Sequence, residues 1–264
     1  MTQKYNLRLF TPLCIAAGTM VLLFILLPLF EMVSQPSWND LRETIADEEV
    51  RSAIFLSLTC SASAAAISFI FGTPMAYLLA RTDFTGKKVV ESMIDLPIMI
   101  PHPVIGIAIL SLSGRNHWLG QIFQDIGIQL LGTKTGIITV LTFVALPFYI
   151  NTAKAGFQAV PCRLEQVARS LGAGQSATFF RITVPLTWRH MITGFIMSMA
   201  RAISEFGAVV IVAYHPMIAP VLMYERFTAY GLKYSQPVAV WLILICLVLF
   251  LLLRVVSSPI GKKN

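Results

Sequence analysis

Pro161-Cys162-Arg163-Leu164-Glu165-Gln166-Val167-Ala168-Arg169-Ser170-Leu171-Gly172 is a polar stretch set between long apolar segments. Leu164, Val167, Ala168 and Leu171 recur at i, i+3, i+4 and i+7, the spacing of one helical face. Pro161 suits the first helical turn, where its missing N–H costs nothing. Gly172 suits the left-handed residue that stops a helix. The spacing predicts a helix of about three turns, apolar on one side. Such a ridge in water needs a partner groove.

Outward from this ridge the chain is apolar. Its 264 residues are 56% hydrophobic and 12% charged, with mean hydropathy +0.74. Soluble domains carry about a quarter charged residues, so the class is integral membrane protein. Six spans are expected, at about 9–30, 53–80, 89–112, 136–157, 188–214 and 237–256. The first is too long for a signal-peptide core, so it reads as an uncleaved helix. The second is rich in Ser and Ala and contains Gly72, which lets backbones approach closely. The fourth is expected to kink at Pro147. No repeat or separate soluble domain is visible. The chain reads as one all-α transmembrane domain over 1–264, with its core at 53–256 and the ridge in a loop at 158–187.

Six spans put both termini on one side, and the positive-inside rule decides which. Thirteen of the 20 Lys and Arg residues fall at the termini and in the loops on the ridge's side, six in the other loops, and Arg201 within a span. This places both termini and the ridge in the cytoplasm of a multi-pass cell-membrane protein. Topology thus accounts for the net charge of +7 without any nucleic-acid partner.

The third span contains Pro97, Pro101, Pro103 and Gly106. Each proline removes a backbone donor, so the helix must kink, as a pathway wall or as a packing device. His102 lies between two of these prolines, and Asp95 has Lys88 or another subunit as candidate partners. The segment 214–226 is apolar but broken by prolines, which reads as a membrane-edge or re-entrant segment. In the fifth span Arg201 and Glu205 stand at i and i+4. A charge at mid-membrane costs roughly 2.5–3.5 kcal/mol on insertion scales, so the two should neutralise each other or face a wet interior. Arg201 could alternatively touch an anion in transit, although Glu205 would repel that anion from the same face.

Other chemistries lack their residues. Cys14, Cys60, Cys162 and Cys246 are scattered without C-x-x-C spacing, and no H-E-x-x-H occurs, so neither a metal site nor a disulfide framework is expected. The phosphate-binding G-x-x-x-x-G-K-[ST] loop is also absent. The nearest approach, Gly127 to Gly132-Thr133-Lys134, has its last two residues in the wrong order. No cofactor is expected on this chain, and ATP hydrolysis, if used, belongs to a partner. A self-contained ion-coupled transporter or channel would show inverted repeats or several intramembrane acids. A helix lying on the lipid surface would explain the ridge's arginines but not its Gly and Pro spacing.

Gln166-Val167-Ala168 followed by Leu171-Gly172, then Ile182-x-Val184-Pro185, resembles the EAA motif of ABC importer permeases: E-A-A, three residues, G, nine residues, I-x-L-P. Ala168, Gly172, Ile182 and Pro185 match. Gln166 stands at the acidic position with Glu165 one residue early, and Val167 and Val184 replace Ala and Leu. Arg201 to Ala208 is similar to the A-R-x-x-x-E-F-G-A pattern of the molybdate, tungstate and sulfate branch. Gly72-Thr73-Pro74 through Arg81, and Leu96-Pro97 through Ile100-Pro101-His102, resemble the same branch.

The resemblance implies the type I importer permease fold and a molybdate/tungstate import function, with sulfate as the alternative. It implies a coupling role toward the ATPase for Leu164, Glu165, Gln166, Val167, Ala168, Leu171, Gly172 and Pro185. It implies a place in or beside the translocation pathway for Arg201, Glu205, Pro101 and His102. The implied partners are a second copy of the chain, two ATP-binding subunits and an extracytoplasmic oxyanion-binding protein.

Overall fold

The computed structural model describes residues 10–114 and 117–257. Lys4, Arg8, Arg115, Lys262 and Lys263, which entered the charge count, lie outside the described residues. The helices in order are α1 (Phe10–Ser34), α2 (Trp38–Ala46), α3 (Glu48–Arg81), α4 (Lys87–Met99), α5 (His102–Ser113), α6 (Trp118–Asp125) and α7 (Lys134–Ala159). After them come α8 (Cys162–Ser170), α9 (Gln175–Thr178), a π-helical turn (Phe179–Thr183), α10 (Val184–Ile203), α11 (Val209–Val212), α12 (Ala219–Tyr230) and α13 (Leu232–Ser257). No strand occurs among the described residues.

Polar caps set where several helices begin. Ser37 and Asp40 form a reciprocal capping box that starts α2. Asp47 accepts the Glu49 N–H and starts α3, and Thr133 accepts the Gly136 N–H and starts α7. Beyond the latter two caps the chain is apolar enough to run on as helices of 34 and 26 residues.

Helices α3, α7 and α10 pack against one another and form the centre of the molecule. Lipid tails are as apolar as the side chains, so close packing rather than water exclusion drives this association. Gly72 shows how close the approach is: a Cβ there would lie 2.7 Å from the Tyr149 ring. The Tyr149 hydroxyl pairs with Thr73 Oγ1 at 2.6 Å, so the polar atom that this packing buries is satisfied. One core cluster joins Cys60 and Ala64 of α3 to Ile137 and Val144 of α7 and Val209 of α11. Another joins Leu79, Tyr149, Phe157 and Met191 towards the α8 end. Helix α1 is exposed along almost its whole length and packs against α13.

Four described helices are long and apolar enough to cross a bilayer, or five if α4 and α5 are one bent span. Two of the expected spans differ from their prediction. The third is not a kinked helix over 89–112 but two helices meeting at 108°. Ile100 and Pro101 are extended at the joint, where Pro101 cannot donate a hydrogen bond back along α4. The fifth, expected over 188–214, starts earlier at Val184 and stops at Ile203, and α11 resumes only at Val209. The proline-broken segment 214–226 is no free loop: Ala219, Pro220, Val221 and Leu222 of α12 are buried.

Candidate functional site

The ridge is α8, a nine-residue helix slightly shorter than the three turns its sequence implies. Pro161 is its N-cap rather than its first helical residue, and Leu171 is its C-cap. Gly172 follows with φ +89°, in the left-handed region where a side chain clashes with its own carbonyl. Leu164 and Val167 are 45% and 49% exposed, and Leu171 is 83% exposed. With Arg163, Ala168, Ala173 and Ile182 they line an open, mostly apolar hollow. Gln166 is exposed beside them, and Pro185 is exposed in the first turn of α10.

One of the expected coupling residues, Glu165, turns the other way. Ala168 is only 8% exposed but still lines the hollow, whereas Glu165 is 9% exposed and its carboxylate faces the protein. The reason is chemical: a carboxylate leaves water only when paired and hydrogen-bonded, and partners are in place. Arg81 Nη2 and Nε donate to Glu165 Oε1 at 2.8 and 3.0 Å. Thr183 Oγ1 donates to the same oxygen at 2.8 Å, and the Tyr77 hydroxyl reaches Oε2 at 3.4 Å. Arg81 Nη2 also donates to the carbonyl of Val160, the C-cap of α7, at 3.1 Å. Tyr77 in turn meets Phe157 and Phe179 edge to face, with Tyr77 and Phe179 centroids 4.9 Å apart. Sequence reading assigned no site role to Arg81, Tyr77 or Thr183. The available signal was Glu165 itself, an acid one residue off the apolar stripe of Leu164, Val167, Ala168 and Leu171.

The second candidate cluster forms where the two broken spans cross. Arg201 Nη2 meets Glu205 Oε2 at 2.9 Å, so the expected pair exists, but not along one continuous helix. Helix α10 ends at Ile203, and Glu205, 1% exposed, sits in the break beyond it. Its other oxygen accepts the Ala208 N–H at 3.0 Å, which supplies a partner at the start of α11. His102, the first residue of α5, places Nδ1 3.0 Å from Glu205 Oε2, and Arg201 Nη2 lies 2.9–3.0 Å from both its ring nitrogens. Pro101 stands one residue before it as the N-cap of α5. A Cβ on Gly106 would lie 2.8 Å from the Ala208 carbonyl oxygen, so α5 and α11 touch backbone to backbone. The arrangement can hold a buried negative charge neutral while leaving Ser204 exposed beside Arg201.

Within the chain Asp95 takes a partner that the sequence did not offer: Asn151 Nδ2 of α7 donates to it at 2.6 Å. One turn away Lys154 pairs with Glu91 at 3.0 Å, so α4 is tied to α7 by two polar contacts. At the opposite end Arg226 of α12 donates to Asp47 at 2.6 Å. That bond holds the Asp47 carboxyl below its ordinary value, against a smaller upward push from burial.

The profile of the family described as "Binding-protein-dependent transport system inner membrane component" matches residues 68–260, which take in both clusters. The chain belongs to this family. Among relatives of this permease, "Molybdate/tungstate transport system permease protein WtpB" of Methanocaldococcus jannaschii is 44% identical, over 92% of this chain and 95% of its own. The protein of the same name from Pyrococcus abyssi is 41% identical over 96% of each chain. "Probable sulfate transport system permease protein cysT" of Chlorella vulgaris is 30% identical over 84% of this chain and 85% of its own. In fold, the permease matches a chain from the structure of "a bacterial ABC transporter involved in the import of the acidic polysaccharide alginate". The TM-score is 0.75 at 18% identity, covering 97% of each chain.

Proposed function

We propose that this permease is the membrane-spanning subunit of an ABC importer for molybdate or tungstate. The observation that carries the reading is the α8 ridge. Leu164, Val167 and Leu171 are exposed on a helix whose other face is bonded to the ends of the central spans. A water-facing apolar ridge on a rigid mount is the shape a groove on another protein takes up. The relatives' names supply the substrate class, and the absence of a phosphate-binding loop in the chain assigns ATP to a partner.

In this reading six spans result when α4 with α5, and α10 with α11, each count as one. Both termini and α8 are then cytoplasmic by the positive-inside rule. Two copies enclose one pathway, and two ATPase subunits seat one ridge each. An extracytoplasmic binding protein delivers the oxyanion at the α2, α6 and α12 end. The broken spans, with Pro101, His102, Arg201 and Glu205 at their crossing, stand where the pathway opens and closes. Discontinuous helices are how spanning segments expose polar groups at membrane depth.

Reconstitution into liposomes with its ATPase and binding protein tests the reading. ATP-driven accumulation of tungstate and molybdate, with sulfate excluded, is the expected result. Preference for sulfate would move the chain to the second oxyanion, which the 30% identical sulfate relative keeps in view. Accumulation driven by an ion gradient without ATP would overturn the ABC reading.

A further inference from the structure

We infer that Glu165, Arg81 and Thr183 form a buried clamp that makes α8 move as one body with α3, α7 and α10. The inference rests on the permease reading and goes past it. It reassigns Glu165 from the docking surface to a positioning role and adds Arg81 and Thr183 to the coupling machinery.

The connections of α8 are short but not rigid. It leaves α7 through Val160 and Pro161, and reaches α9 through 171–174, which includes Gly172 and Gly174. Such links transmit a push along the chain but do not stop α8 from swivelling under it. The clamp does. Arg81 is the last residue of α3, Val160 is the C-cap of α7, and Thr183 is the N-cap of α10. One carboxylate oxygen on α8 therefore accepts from the end of α3 and the start of α10, while the same arginine reaches the end of α7. The Arg81 and Glu165 side chains are only 10% and 12% exposed. Charge-assisted bonds shielded from water are short and directional, so this carboxylate has one position. Tyr77, whose hydroxyl reaches the other carboxylate oxygen, is itself packed between the rings of Phe157 and Phe179. Meanwhile Leu164, Val167 and Leu171 point away from the clamp and stay free for a partner. Docking and transmission thus use different faces of the same short helix.

The test uses the full importer with Glu165→Gln and Thr183→Val, the second keeping shape while deleting only the hydroxyl. Both variants are expected to retain their ATPase on purification, because the exposed ridge is unchanged. Oxyanion taken up per ATP hydrolysed should fall about threefold for Thr183→Val and about tenfold for Glu165→Gln, the range that local changes in coupling networks span. Unchanged uptake per ATP in both overturns the clamp, and so does loss of the ATPase from Glu165→Gln, since that makes Glu165 a docking residue. Wild-type uptake that proceeds without ATP removes the permease reading and the clamp together. A second measurement leaves Glu165 in place: spin labels at Thr82→Cys and Ser170→Cys, both exposed positions, in a chain whose native cysteines are replaced. The distance between them should stay the same with and without trapped ATP. A distance that shifts with nucleotide overturns the rigid-body assignment even if the substituted variants fail to fold.

Discussion

Glu165 and Glu205 are buried carboxylates at opposite ends of α10, 9% and 1% exposed, and they differ in where their partners come from. Glu205 takes Arg201 from four residues back and the Ala208 N–H from three residues on; only His102 is distant. It fills a break in its own chain, so its charge satisfies groups that the break exposes. Glu165 takes Arg81 and Thr183, 84 and 18 residues away, and fills no break in α8. It joins helices instead. A buried acid with local partners marks a place where one span is interrupted, whereas one with distant partners marks a joint between spans. The same side chain serves either end because a carboxylate accepts several donors at once.

The largest effect should come from Glu205. Removing one partner of a buried ion pair costs about 3–5 kcal/mol, because the other charge is left unpaired. Glu205→Ala should therefore cause a large fall in melting temperature of the detergent-purified permease. Arg201→Ala combined with it should recover part of the loss, since the double variant buries no lone charge. Losses that simply add would dissolve the pair and with it the contrast between the two acids.

Next comes the ridge itself. Leu171→Asp places a charge on an 83% exposed residue at the C-terminal end of the docking face. The change should weaken ATPase binding by about 2 kcal/mol or more, roughly thirtyfold, with the fold unaffected. Pull-down of the ATPase beside a melting curve checks both halves, and a lowered melting temperature with retained ATPase would reverse the roles of the two α8 faces.

Gly172→Val should cost about 1–2 kcal/mol through backbone conformation alone, because φ is +89° while a Cβ would meet nothing within 4 Å. Gly172→Asn, which tolerates that region, should be milder in the same pull-down and melting assays. Equal damage from both would mean that space, not backbone conformation, limits the position.

The smallest effect belongs to the half-exposed tie at the far end. Asp47→Asn should cost about 1 kcal/mol or less, as partly solvated ion pairs do. The Asp47 carboxyl is held below its ordinary value, so its contribution is complete at neutral pH and is lost as pH falls below about 4. Melting curves of the parent and Asp47→Asn should therefore differ at pH 7 and converge in acid.

Much of this was legible along the chain. Leu164, Val167 and Leu171 were readable as an outward ridge because a helix repeats every 3.6 residues, and Gly172 as its stop because only glycine rests easily at positive φ. Arg201 and Glu205 were readable as a pair because four residues separate them. Asp95 could not be paired from sequence because Asn151 lies 56 residues away.

The sequence by itself determined the class, the ridge and the intramembrane pair, since composition and periodicity act over distances of a few residues. Only the tertiary structure decided that Glu165 turns inward, that Arg81 and Thr183 meet it, and that the third and fifth spans break where they cross. Those outcomes depend on which distant helix ends arrive together. A carboxylate chooses its face by where its donors are, and the donors of Glu165 are gathered only when α3, α7 and α10 pack.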